Sequence, residues 1–264
     1  MFLGYTTTFI KPIKIMKQAL TSLFLAAALG SFSCFAQMGS GATPGMDAAM
    51  TKLFGKNNAF TAKAELNLRM SEQKEPMTME MNISMLEGKT RSEMDMTTAK
   101  GGPMPPNAAA MMKQMGMDKI VAISRPDKKM TLVIYPGLQS YAEIAMSEKE
   151  AASANKDYKL ETASLGKETI DGHPCEKNKV TMTDDKGEKQ DALVWNASDL
   201  KDFPVQLQMT TEGNTILMKF KEVKLDKPAA KLFDAPTDLT KYTSLQTMMQ
   251  EAMMKKMGGA GGVK

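Results

Sequence analysis

Apolar and polar residues alternate with a period of two through most of this chain. In 60–70, Phe60, Ala62, Ala64, Leu66, Leu68 and Met70 alternate with Thr61, Lys63, Glu65, Asn67 and Arg69. In 77–85, Met77, Met79, Met81, Ile83 and Met85 alternate with Thr78, Glu80, Asn82 and Ser84. Successive side chains of a strand point to opposite faces, so each run predicts a strand with one apolar and one wet face. A turn at Glu87-Gly88-Lys89 leads to a return strand over Arg91–Met96. The pattern resumes at Lys119–Arg125, Lys129–Tyr135 and Leu138–Ile144, near Ile170, and at Cys175–Thr183, Gln190–Asn196, Val205–Met209 and Ile216–Phe220. Asp171-Gly172 and Glu212-Gly213-Asn214 read as hairpin turns. Residues 147–164 are polar and predict a helix-loop crossing.

The period changes to 3.6 near both ends. Met46, Met50, Leu53 and Phe54 predict a short amphipathic helix from about Pro44 to Gly55. Leu239, Tyr242, Leu245, Met249 and Met253 predict a helical stripe, capped by Thr237 or Asp238 and running to about Met257. Gly101-Gly102-Pro103-Met104-Pro105-Pro106 suits neither a central strand nor a helix interior. An insertion near 97–117 therefore belongs on a rim of the sheet, with Asn107–Met117 as a short helix and the whole placed to act as a lid. The class is mainly β (α+β). About ten antiparallel strands form one sheet that twists and curls, with one face covered by a few helices. Residues 59–236 form the sheet domain, 37–58 a linker and N-terminal helix, and 237–264 a C-terminal amphipathic helix and tail.

The first segment belongs to none of this. Residues 1–36 carry Lys11, Lys14 and Lys17, no acid, an apolar run from Ala19 to Leu29, and small residues before Ala36. That is the make-up of a secretory signal cut after Ala36, with Met1 or Met16 as the start. The apolar run is too short for a bilayer span, which takes about 20 residues. Cys34 follows Ser31, Phe32 and Ser33 and lacks the leucine of a lipoprotein site, so the reading is periplasmic or otherwise exported without a lipid anchor. The cut changes the charge. Three lysines leave a chain whose formal net charge is +4, so the remainder stands near neutrality and carries no basic patch for nucleic acid.

Candidate chemistry is sparse. The single His173 lies two residues from Cys175, the one cysteine left after the cut, and no third orienting residue is evident. A turn histidine beside a small buried cysteine accounts for both. Carboxylates are spread along wet strand faces, without an apolar setting to raise a pKa. No phosphate-binding or dinucleotide fingerprint is present. These features predict no enzyme and no cofactor.

Methionine is the unusual component, with 27 residues in the full chain. Three roles are open: core filler, the lining of a pocket for varied apolar ligands, or thioether ligands for Cu(I). For copper, an extended strand does not focus its side chains on one point. The helical pairs Met249/Met253 and Met253/Met257 are better spaced.

One segment carries a resemblance. Gly166, Glu168, Gly172, Cys175 and Lys177 match the G-x-E-x-x-x-G-x-x-C-x-K hairpin of a bacterial exported domain family of unknown function, related to the LolA/LolB-like lipoprotein-carrier fold. Tyr141-Ala142-Glu143, Val194-Trp195, Phe203-Pro204-Val205 and Leu232-Phe233-Asp234-Ala235-Pro236 resemble further pieces, in order, over roughly 58–242. The resemblance implies an open, strongly curved antiparallel half-barrel, closed by helices over an apolar cavity that in the carrier branch holds lipoprotein acyl chains. On that reading Leu66, Leu68, Met79, Met81, Ile83, Met85, Arg91 and Trp195 line the cavity, Arg91 standing nearest to the carrier's functional arginine by its place on an early strand. The partner is a lipid or lipoprotein acyl chain. Alternatives are a copper(I) binder through Met249, Met253 and Met257, and a structural protein of the cell envelope.

Overall fold

The computed structural model describes residues 48–71, 75–102, 107–148, 150–151, 158–211 and 213–259. The expected signal segment 1–36, the expected cut after Ala36, and Cys34 lie outside them.

Among the described residues twelve strands form one curved, open sheet, two more than the alternation predicts. The first six are β1 (Ala59–Arg69), β2 (Met77–Leu86), β3 (Lys89–Asp95), β4 (Lys119–Arg125), β5 (Met130–Tyr135) and β6 (Ser140–Ala145). Then come β7 (Lys159–Ile170), β8 (His173–Thr183), β9 (Lys189–Ala197), β10 (Phe203–Thr211), β11 (Asn214–Lys224) and β12 (Thr240–Tyr242). Their order in space is β12-β6-β5-β4-β3-β2-β1-β11-β10-β9-β8-β7. Two antiparallel meanders, β1–β6 and β7–β11, are thus joined where β1 pairs with β11. The consecutive strands β6 and β7 lie far apart in the sheet, β7 at one edge and β6 next to β12 at the other.

The turns follow from local residues. Glu87-Gly88 and Asp171-Gly172 each adopt two successive positive φ angles, the geometry that matches the twist of a two-residue hairpin. Lys129, Gln139 and Lys201 are left-handed residues that end short 3₁₀ turns between strands.

Two expectations fail at the chain's crossings. Residues 159–164 are strand, not helix or loop, because each pairs with β8, from Lys159 opposite Thr183 to Ser164 opposite Asn178. Their polarity is that of an exposed edge strand, charged against further pairing. The C-terminal helix starts at Leu245, not near 237. Thr240–Tyr242 instead pair in parallel with β6, and the Ser244 hydroxyl accepts the Thr247 N–H at 3.1 Å as a cap.

Three helices of the described residues cover the inner face: α1 (Ala48–Lys52), α2 (Ala108–Met115) and α3 (Leu245–Gly259). Met50, Leu53 and Phe54 of α1 and its following turn join the inner core, where Phe54 stacks on Phe60 at 4.8 Å and meets Phe203 at 5.5 Å and Phe220 at 5.4 Å. Met112 of α2 and Leu245 of α3 pack against the same core. The end of α2 is held by a close backbone approach. A Cβ on Gly116 would stand 2.5 Å from the Gly137 carbonyl oxygen, and the φ of +73° at Gly116 ends the helix in the left-handed region.

The outer face is not wet throughout. Ile120-Val121-Ala122-Ile123 and Leu132-Val133-Ile134 are apolar on both faces, the pattern of strands buried on two sides. Leu86, Val121, Ile123, Leu132, Ile134 and Tyr141 form a second core around Phe233. The Arg125 guanidinium donates to the Phe233 carbonyl at 2.9 Å and to both Asp127 oxygens, and Arg91 donates to the Leu232 carbonyl at 3.1 Å. The chain then rounds the β6 edge as β12 and returns to the inner face as α3, where Met248 is fully buried.

Candidate functional site: a methionine-rich apolar face

Strand register assigns each expected lining residue to a face. Leu66 pairs with Met79 on one side and Met218 on the other, and the row continues through Leu207 and Val194. Ala64 pairs with Met81, Ala62 with Ile83 and Phe60 with Met85. Leu66, Leu68, Met79, Met81, Ile83 and Met85 therefore share the inner face and one core.

Arg91 and Trp195 do not stand in those rows. Arg91 pairs with Ile123, on the row that continues to Leu132 in the outer core. Its guanidinium is taken up by Glu93 at 2.7 Å and by the Leu232 carbonyl. Trp195 is buried and touches the inner core, yet its register sets it in the row Lys177, Trp195, Gln206, Lys219, Glu65, one step out of phase with the Leu66 row. Period-two reasoning within one strand cannot show this, because a face is shared between strands only through register.

The apolar face is closed at one end and open at the other. Phe54, Phe60, Phe203 and Phe220 seal the first end with exposures of 3% or less. At the second end Leu66, Leu68 and Ile216 are half-buried, and Met70 is 36% exposed. Two concavities lie on the outer face. One of about 250 Å³ is lined by Arg125, Lys128, Met130, Leu132, Glu143 and Ala235. The other, about 530 Å³, includes Glu161, Lys179, Lys189 and Asp191 and is polar, with Lys179 paired to Asp191 at 2.7 Å. Neither includes an expected lining residue.

The hairpin motif folds into a staple. The Trp195 indole N–H donates to Glu168 Oε1 at 2.7 Å, and Lys177 reaches the same oxygen at 3.1 Å while lying 4.9 Å above the indole ring. The indole hydrogen bond, then Lys177, holds the Glu168 carboxyl below the usual range. Gly166, with φ +112°, sits where the β7–β8 register shifts by one residue and brings Glu168 onto Lys177 and Trp195. These residues tie β7, β8 and β9 together.

His173 does have an orienting partner, which sequence spacing did not reveal. Its Nδ1 lies 2.8 Å from Asp199 Oδ2, on the 3₁₀ turn after β9. Nucleophilic chemistry does not follow. Cys175 is buried, its Sγ donates to the His173 carbonyl at 3.3 Å, and burial pushes its thiol up, away from the thiolate. Among the described residues no three His, Cys, Asp or Glu side chains group to hold a metal ion. Of the helical methionines, Met249 is half-buried on α3, and the side chains of Met253 and Met257 lie outside those described. No helix of the described residues is long and apolar enough to cross a membrane.

Solved structures of other proteins overlap this chain in part. The LolA superfamily protein NE2245 from Nitrosomonas europaea is 11% identical, with 72% of this chain and 99% of that one covered and a TM-score of 0.34. Lipoprotein LppX from Mycobacterium tuberculosis is 11% identical over 68% of this chain and 97% of that one, with a TM-score of 0.37. LprF from Mycobacterium bovis is 10% identical over 69% and 96%, with a TM-score of 0.35. Overlaps of this size assign no function. No curated protein sequence matches the chain. Residues 63–203, more than half of the chain, match the family described as Domain of unknown function (DUF4412), and the chain belongs to that family.

Proposed function

We propose that this protein is a non-catalytic, exported binder of an apolar ligand in a LolA-like half-barrel. The ligand enters where the inner face runs out from under its covers. The observation that carries this is the open end: one continuous apolar face, sealed by four phenylalanines at one side, leaves Leu66, Leu68 and Ile216 half-buried and Met70 exposed at the other. An acyl chain is the occupant that the lipoprotein-carrier resemblance implies, either of a free lipid or of a lipoprotein. Burial of each methylene contributes about 0.8 kcal/mol, so a few methylenes under the α2 and α3 covers give measurable affinity. Met side chains adapt to varied chain shapes better than branched ones. Of the expected lining set, Leu66 and Leu68 line the open end in this reading, while Arg91 and Trp195 serve as structural staples.

Native mass spectra of the protein as purified, then after solvent extraction and after added palmitate, test the reading. Extractable adducts of fatty-acid or phospholipid mass, and palmitate uptake that Leu68→Glu abolishes, are expected. A bare mass that stays bare with palmitate overturns it. The same spectra, taken on protein from a periplasmic fraction, test export: the expected chain starts at Gln37, and one that starts at a lipidated Cys34 overturns the expected cut.

A further inference from the structure

The spacing along one strand argues against a methionine metal site on the sheet, but the register between strands changes that. Met81 and Met94 are direct partners across the β2–β3 pair. Met79 precedes Met81 on the same face, and Met96, two residues after Met94, opens a 3₁₀ turn and is buried in the same core. All four belong to one core, with exposures of 7%, 5%, 5% and 3% for Met79, Met81, Met94 and Met96. Opposed residues of an antiparallel pair have Cβ atoms about 5 Å apart. Two sulfurs on one metal at about 2.3 Å each must come within about 4.6 Å, taking the Zn–S length as a guide. A flexible thioether two bonds beyond Cβ covers that difference easily.

We propose that Met79, Met81, Met94 and Met96 form a buried thioether site for a soft monovalent cation, Cu(I). Thioethers are neutral, soft ligands that select Cu(I) over the divalent ions that imidazole and carboxylate hold. Four neutral ligands leave a single positive charge, the least costly for a site without water. Register along the sheet distinguishes this from packing alone. On the same face β4, β5 and β6 present Ile120, Ala122, Val133 and Ala142, and no methionine. Methionine also stands in this core at Met77, Met85, Met182, Met209 and Met218, but in the strand register of the described residues Met81 and Met94 are the only two that face each other. Ala64, the partner of Met81 on β1, is small and places no donor or charge beside the thioether. Access has a methionine path as well: on α2 Met111 is 49% exposed and Met112 is half-buried against the core.

The test is an anaerobic titration of the full mature chain with Cu(I) against the chelator bathocuproine disulfonate, with X-ray absorption on the loaded protein. One copper per chain with a sulfur-only shell is expected. The double variant Met81→Leu/Met94→Leu keeps the core volume. It is expected to lose more than about 100-fold in copper affinity, beyond the loss typical of outer-shell changes. Met254→Leu, at an exposed position on α3, is expected to bind as the parent does. Failure of the parent to hold copper against the chelator overturns the site, as does parent-like binding by Met81→Leu/Met94→Leu.

Discussion

The two ends of the inner face are built on the same strands and behave differently. Phe60 and Leu68 lie on one face of β1, and Phe220 and Ile216 on the matching face of β11. At the phenylalanine end, α1 and its following turn lay Phe54 across its partners, with ring centroids in the cluster 4.8 to 6.4 Å apart. At the leucine end no described helix seals the face as completely. Alternation along a strand decides which side a residue faces; what covers it is decided by a few residues elsewhere, here the five-residue α1.

The comparison breaks first at Phe60. Phe60→Ala removes a fully buried ring and should lower the unfolding free energy by about 3–5 kcal/mol in denaturant titration. A loss below about 1 kcal/mol would mean that the aromatic end is no tighter than the rest. Tyr135, half-buried on the inner core, comes next. Burial raises its phenol from 10.0 to about 12 in the folded state. The stability it contributes is complete below about pH 10 and is lost as pH rises towards 12, by up to about 2–3 kcal/mol. Thermal melts from pH 9 to 12 should show a shallower fall for Tyr135→Phe than for the parent. Met85→Leu, opposite Phe60, should cost less than about 1.5 kcal/mol because volume is kept, and a larger cost would show that methionine shape matters even at the sealed end. Smallest is Leu68→Gln at the open end. It should change stability by about 0.5 kcal/mol or less while weakening palmitate binding, so that only binding separates it from the parent.

Strands and turns were largely legible because period two and Asp-Gly or Glu-Gly turns are local signals. The strand β12 and the first half of β7, residues 159–164, were not. β12 is three residues long and exists because the β6 edge accepts it: the Thr240 N–H donates to the Gln139 carbonyl at 2.9 Å. β7 hides in polar sequence because an edge strand needs no apolar face. Of the candidate lining residues, the six apolar ones share a face, while register sets Arg91 and Trp195 in other rows, which spacing within one strand does not reveal. The four-methionine patch was hidden for the same reason, since Met81 and Met94 meet only across the β2–β3 turn.

The β1–β11 seam also sets an order of events. Glu65 and Lys221, ion-paired across it at 3.1 Å, are 156 positions apart in the chain. Each meander can form from nearby turns, but the pairing at the centre of the sheet waits until β11 has been synthesised. A nascent chain stopped before Asn214 would hold two meanders with no strand to join them, and β1 would stand as an unpaired edge backed by apolar side chains. Completion of the fold is therefore tied to the synthesis of β11.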